Sequence, residues 1–218
     1  LLAEAQDQLF TAQEINPLNT DHTANLARLN TLWANTSTDA AVRAQHLADA
    51  EQFYTRALEL SPQNSVIRNE YARLVLSQGE NCANALDIYE QSATIDPFYA
   101  DTYFAWADAA AACASESEDE QAVFNAEAVR AMRLGLELQP DNALAWVRAG
   151  QLYQRIGEQS EAIVAYEAAL SLDPAQQDIP AWNVKYLQAQ SYREMGLLDE
   201  AEALAQEGLQ LSPVEYQG

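Results

Sequence analysis

Apolar and small residues recur along this chain at the spacing of helical faces, and six of its seven prolines close the same frame. In each frame a small residue stands twelve positions before the proline, a larger residue eight before, and another small residue five before. The instances are Ala5/Leu9/Ala12/Pro17, Ala50/Tyr54/Ala57/Pro62, Ala85/Tyr89/Ser92/Pro97, Ala128/Met132/Gly135/Pro140, Ala162/Tyr166/Ala169/Pro174 and Ala201/Ala205/Gly208/Pro213. The small residues fall two turns apart on one face, where a neighbouring helix can approach closely. Proline then ends each helix, because it has no N–H and disfavours helix in the residue before it. The frames lie 45, 35, 43, 34 and 39 residues apart, the signature of an internal repeat.

A second set of helices lies between the frames. In the clearest, Trp146, Ala149 and Tyr153 share one stripe, and Gly157 supplies the tight turn into the helix that carries Ala162. The pattern predicts eleven helices. A lone helix over 2–15 is followed by five hairpins. Their first helices cover about 20–34, 65–78, 100–113, 142–156 and 181–195, and their second helices about 39–60, 83–95, 118–138, 160–172 and 199–211. Three units carry insertions: around Asn35 to Thr38, in the acidic run Ser115-Glu116-Ser117-Glu118-Asp119-Glu120, and over 176–180. The acidic run is expected to be a solvated, Ser/Glu-capped helix start.

The segment Trp146-x2-Ala149-Gly150-x2-Tyr153, with Gly157, Ala162 and Pro174, resembles the tetratricopeptide repeat family, whose 34-residue helix–turn–helix unit it follows. The resemblance extends in looser form over nearly the whole chain. It implies an all-α, right-handed superhelical solenoid of antiparallel hairpins over 1–218. The units would be a half repeat at 1–17, full repeats at 18–62, 63–97, 98–140, 141–174 and 175–213, and a tail at 214–218. The orphan half repeat and a start without Met lead us to expect a piece of something longer. Solenoid ends need capping, and the short tail is not expected to supply it, so self-association through uncapped ends is a candidate behaviour.

Composition narrows the partners. With 33 acidic and 11 basic residues the formal charge is −22, which argues against nucleic acid, whose binding rests on clustered Lys and Arg. No run of 18 apolar residues is present, so no membrane insertion of this segment is expected. Phosphate-cradling glycine loops, zinc-spaced Cys/His sets and serine elbows are all missing. His22 and His46 lack an orienting partner in sequence and are expected to cap or sit at the surface. The expectation is a non-enzyme with no cofactor and no metal. Trp33, Trp106, Trp146 and Trp182 fall on or beside the packed stripe and are expected in the core.

The resemblance also implies a concave surface lined by first helices that binds a protein or peptide. Taking the stripe opposite the packed one, the candidate groove residues are Asn25, Arg28, Asn69, Arg73, Phe104, Arg148, Gln151, Arg155, Tyr186 and Arg193. Asn and Arg can hydrogen-bond a peptide backbone or a carboxylate, and Arg does so bidentately; the competing reading pairs these arginines with nearby acids. The family's chaperone-binding members clamp a C-terminal carboxylate with basic and Asn residues. The corresponding places here hold Ala24, Asn69 and Phe104. Cys82 and Cys113 fall at the same edge of an up–down–up stack, so a disulfide between them is geometrically allowed, and it would point to an oxidising, extracytoplasmic setting. Residues 15–29 (Ile15-Asn16-Pro17-Leu18 through Leu29) are similar to the repeat region of bacterial O-antigen ligase and polymerase-like membrane proteins. That similarity implies a soluble accessory domain of a larger membrane protein.

Overall fold

A computed structural model describes residues 1–79, 82–116, 120–174 and 178–212. Among them are eleven α-helices: α1 (Leu2–Ile15), α2 (Thr20–Thr36), α3 (Ala40–Leu60), α4 (Ser65–Ser77), α5 (Cys82–Ile95), α6 (Ala100–Glu116), α7 (Gln121–Leu138), α8 (Ala143–Arg155), α9 (Gln159–Leu172), α10 (Ala181–Glu194) and α11 (Leu198–Leu211). The helices form two compact units, Leu1–Ala109 and Ala110–Gly218. In the first, α2 pairs with α3 and α4 with α5, while α1 packs on α2 and α3 on α4. In the second, α8 pairs with α9 and α10 with α11, and α9 bridges to α10.

Local chemistry sets the ends of these helices. Asn19, Asn64 and Asn142 each accept the backbone N–H three residues on, capping α2, α4 and α8, and Asp39 caps α3 from both Ala41 and Val42. The short hairpins turn on glycine: Gly157 (φ 88°) and Gly196 (φ 78°) take a left-handed conformation that a side chain would strain. At three turns between repeats, the residue six places after the proline donates to the proline's own carbonyl. Arg68 reaches Pro62 O (2.9 Å), Tyr103 reaches Pro97 O (3.2 Å) and the Trp146 indole reaches Pro140 O (2.8 Å). Each donor satisfies a carbonyl just past a helix end, where the helix itself offers no N–H.

The small residues of the proline frame do what their spacing predicts within α3, α5, α7 and α9. Ala50, Ala57, Ala85, Ser92, Ala128, Gly135, Ala162 and Ala169 are all buried, with Tyr54, Tyr89, Met132 and Tyr166 between them. Ser92 uses its hydroxyl to bind Ser65 O at 3.1 Å, which explains a polar residue in that place. In the first unit Ala24, Ala27, Ala50, Tyr54, Ala57, Ile67 and Leu74 form one apolar cluster. In α11 the small positions Ala201 and Gly208 are buried while Ala205 between them is exposed, and α1 has no buried residue.

Neighbouring first helices are also tied by polar links. Asn69 Nδ2 donates to Thr102 Oγ1 at 2.8 Å. Gln154 Nε2 donates to Leu187 O (2.7 Å) and Ser191 Oγ (2.8 Å), while its Oε1 accepts the Tyr166 hydroxyl at 2.6 Å. Gly150 makes room for that tyrosine: a Cβ there would meet three atoms of the Tyr166 ring. Trp106 is in the core as expected, but Trp33, Trp146 and Trp182 are only half-buried. His46 is neither cap nor free surface, for it stacks on Trp33 (centroids 4.4 Å apart) and shares a 2.7 Å hydrogen bond with Asn30 Oδ1.

Candidate functional site

In the first unit, helices α2 and α4 run side by side and leave a cavity of about 340 Å³ between their C-terminal halves. Arg28, Thr31, Leu32 and Asn35 line it from α2, and Glu70, Arg73, Leu74 and Ser77 from α4; Tyr54 of α3 also lines it. Two Asn caps start the helices alike, but α2 has 17 residues and α4 has 13. The four-residue excess makes α2 longer than α4 by about one turn, about 6 Å. Leu32, in the cavity lining, is half-exposed.

The charges in this cavity are unevenly committed. Arg28 Nε bonds Glu70 Oε2 at 2.9 Å, and its Nη1 donates to Asn25 Oδ1 at 2.7 Å. The Glu70 hydrogen bond holds the Arg28 pKa above its usual value, against the opposing effect of burial. Arg73, by contrast, is exposed and makes no hydrogen bond or ion pair with any described residue. Burial pushes the Tyr54 phenol up to about 12, and the Glu70 charge adds to it, while a hydrogen bond with Thr31 and the charges of Arg28 and Arg73 pull the other way. Its neutral ring is 3% exposed.

In the second unit, Tyr186, Gln190 and Arg193 of α10 face Leu198, Ala201, Glu202 and Ala205 of α11 across a cavity of about 270 Å³. Tyr186 is exposed, and Arg193 makes only a long contact, 3.5 Å, to Glu194. Gln151 and Arg155 of α8 are exposed and Arg148 is half-buried; both arginines already have partners within the chain.

Two of the expected groove residues lie elsewhere. Asn69 is 5% exposed and spends its amide N–H on Thr102, and Phe104 is 3% exposed. Ala24 is also buried, in the apolar cluster it shares with Ala50, Tyr54 and Ala57 of α3. A larger cavity of about 730 Å³ runs along α7, bounded by Ala126, Val129, Arg133 and Glu137 and by Ile156 and Glu158 of the α8–α9 turn. Sequence reasoning missed it, although the signal was present in the length of α7, 18 residues against 14 for α9.

Neither cysteine is free: Cys82 and Cys113, the chain's only two, are disulfide-bonded. Among the described residues no group of three or more His, Cys, Asp or Glu could hold a metal, and no helix is long and apolar enough to cross a membrane.

Known proteins give this architecture its class. The tetratricopeptide repeat family matches residues 143–176 and 183–215, so that part of the chain carries tetratricopeptide repeats. A TPR repeat-containing protein of Methanocaldococcus jannaschii, MJ0941, is 38% identical over 48 residues, which are 22% of this chain and 14% of that protein. PilW, a type IV pilus biogenesis factor, superposes with a TM-score of 0.67 at 15% identity, over 93% of this chain and 82% of its own. TTC0263, a thermophilic TPR protein of Thermus thermophilus, gives 0.59 at 23% identity over 89% and 94%. YrrB, described as a TPR protein with an unusual peptide-binding site, gives 0.58 at 16% identity over 94% and 93%. These likenesses establish the fold: an all-α stack of helix pairs of tetratricopeptide type.

Proposed function

We propose that this chain is a non-catalytic scaffold that binds a polypeptide segment on the exposed face of its first helices. The observation that carries the reading is the set of exposed, hydrogen-bonding side chains on that face. Arg28 and Arg73 stand at a cavity in the first unit, Tyr186 and Arg193 at a cavity in the second, and Gln151 is exposed on α8. A chain of charge −22 has many acids to occupy its arginines, yet Arg73 in the first unit and Gln151 and Tyr186 in the second keep donors available among the described residues. YrrB, a protein of similar fold, has a peptide-binding site by its description, which supports the same use here. The test is direct binding of the full chain to a peptide array. Peptides captured by the native chain should be lost on combined Arg73→Ala and Tyr186→Ala substitution and retained with Val164→Ser on the second helix α9. The opposite pattern would move the binding surface elsewhere.

A second reading concerns the setting. The bonded pair Cys82 and Cys113 suits an oxidising compartment, where disulfides persist. It supports an extracytoplasmic setting; the tether to a larger membrane protein of the O-antigen ligase or polymerase type rests on the likeness of residues 15–29 alone. Hydrophobic spans elsewhere in the parent sequence would support the tether, and a parent without them would remove it.

A further inference from the structure

We propose that the cavity between α2 and α4 anchors one adjacent residue pair of the bound segment: an aliphatic side chain inside, and the side-chain carboxylate of its Asp or Glu neighbour on Arg73. This rests on the first-helix face being the polypeptide-binding surface, and it names what that surface selects.

The apolar half of the anchor follows from the lining. Leu32 is half-exposed at the cavity, Leu74 is buried in the wall, and the Tyr54 ring contributes to the lining. Leaving such a leucine in water costs about 25 cal/mol per Å² of apolar surface, which an incoming aliphatic group recovers. A cavity of about 340 Å³ is at the small end for ligand sites. It has room for one or two side chains and none for a packed helix.

The charged half follows from which groups are already spent. Arg28 and Glu70 neutralise each other at 2.9 Å, and Asn25 takes a further Arg28 N–H. Among the described residues lining the cavity, that leaves Arg73 as the charge without a counter-ion. A basic segment would meet no available carboxylate here and would face that guanidinium. A carboxylate would meet a fork of donors matched to it, beside a wall that keeps water off one side. A segment lying along the helix face passes the cavity and continues, so the carboxylate belongs to an internal side chain and not to a chain end.

The experiment uses the full chain and terminally acetylated and amidated ten-residue peptides in one Gly/Ser frame, with a central pair of Leu-Glu, Leu-Gln, Leu-Lys or Ser-Glu. Leu-Glu should bind best and Leu-Lys worst. Arg73→Gln should weaken Leu-Glu about tenfold, as expected for one charge-assisted hydrogen-bonding group, and erase its advantage over Leu-Gln. Leu32→Ser should erase the advantage over Ser-Glu and keep the preference for Glu over Gln. The ratios are internal to each variant, so partial unfolding does not mimic them. Peptides bound without a Glu preference, or a preference that survives Arg73→Gln, would overturn the anchor and leave the groove reading in place. If the native chain selects no peptide from these or from the wider array, the groove reading fails and the anchor with it.

Discussion

Gly150 offers the sharpest test of how the second unit is packed. It sits inside α8, where alanine would ordinarily stabilise the helix by about 1 kcal/mol through propensity alone. The structure argues for the opposite sign. A Cβ at this position meets Cε1, Cδ1 and Cζ of Tyr166, the last two at 2.7 Å, and the ring is fully buried. It cannot swing aside without disturbing its 2.6 Å bond to Gln154, whose amide also holds Leu187 and Ser191 of the next first helix. Overpacking of this kind costs about 1–3 kcal/mol, and each loosened hydrogen bond about 1 kcal/mol more. Gly150→Ala should therefore destabilise by about 1–3 kcal/mol net and lower the melting temperature by several degrees in a chain of this size. Thermal unfolding followed by circular dichroism reads it directly. In a Tyr166→Leu background the clash is gone, and the same Gly150→Ala change should become neutral or stabilising. A single mutant as stable as the native chain, or additivity between the two changes, would refute the account.

Three further outcomes follow from the same structure. Reduction should lower the unfolding temperature, because the Cys82–Cys113 bond closes a loop whose entropy is worth roughly 3–4 kcal/mol; equal melting with and without reductant would count against the bond. Tyr54 titrates near 10 when unfolded and about 12 when folded, so the unfolded state loses its proton first as pH rises. Its stabilising contribution is whole below pH 10 and declines between pH 10 and 12, by up to about 2–3 kcal/mol; Tyr54→Phe should flatten that part of the stability profile, and an unchanged profile would exclude Tyr54 as its source. Asp173 Oδ2 accepts both Asp178 N (2.8 Å) and Ile179 N (2.9 Å), clamping the residues that lead into α10. Asp173→Ala should cost about 1–3 kcal/mol, and Asp173→Asn should recover part of it; a silent Asp173→Ala would show that the clamp carries no stability.

Much of the fold was legible because its signals are local. Prolines mark helix ends, and Ala or Gly at fixed distances marks the touching faces. The expected helix ends accordingly agree with the observed ones to within about three residues. The site was less legible because periodicity fixes a helical face only to within one residue. Asn69 and Phe104 were placed on the open stripe, but both are buried, and Asn69 turns to Thr102 of the neighbouring first helix. The proline-carbonyl bonds were hidden for another reason: Arg68, Tyr103 and Trp146 share a position and a donor but no residue type. Asn69 also carries a cost that sequence could not reveal, since its Oδ1 is buried without a partner.

The insertions link sequence to site. A regular repeat stacks helices of equal length and gives a smooth face, whereas α2 exceeds α4 by four residues, and α7 exceeds α9 by four. In each case a cavity lies beside the longer helix: about 340 Å³ beside α2 and about 730 Å³ along α7. Size would favour the second as a ligand site. Chemistry favours the first, because the α7 cavity presents charges of both signs, Arg133 against Glu137 and Glu158, and selects no single ligand charge. Beside α2 the opposite charges of Arg28 and Glu70 have cancelled and, among the described residues, one guanidinium is left over. Cutting Leu32 back to Ala would remove the exposed apolar side chain without touching Arg73. The aliphatic preference should then vanish while the acidic preference persists, a separation that a simple loss of folding cannot produce.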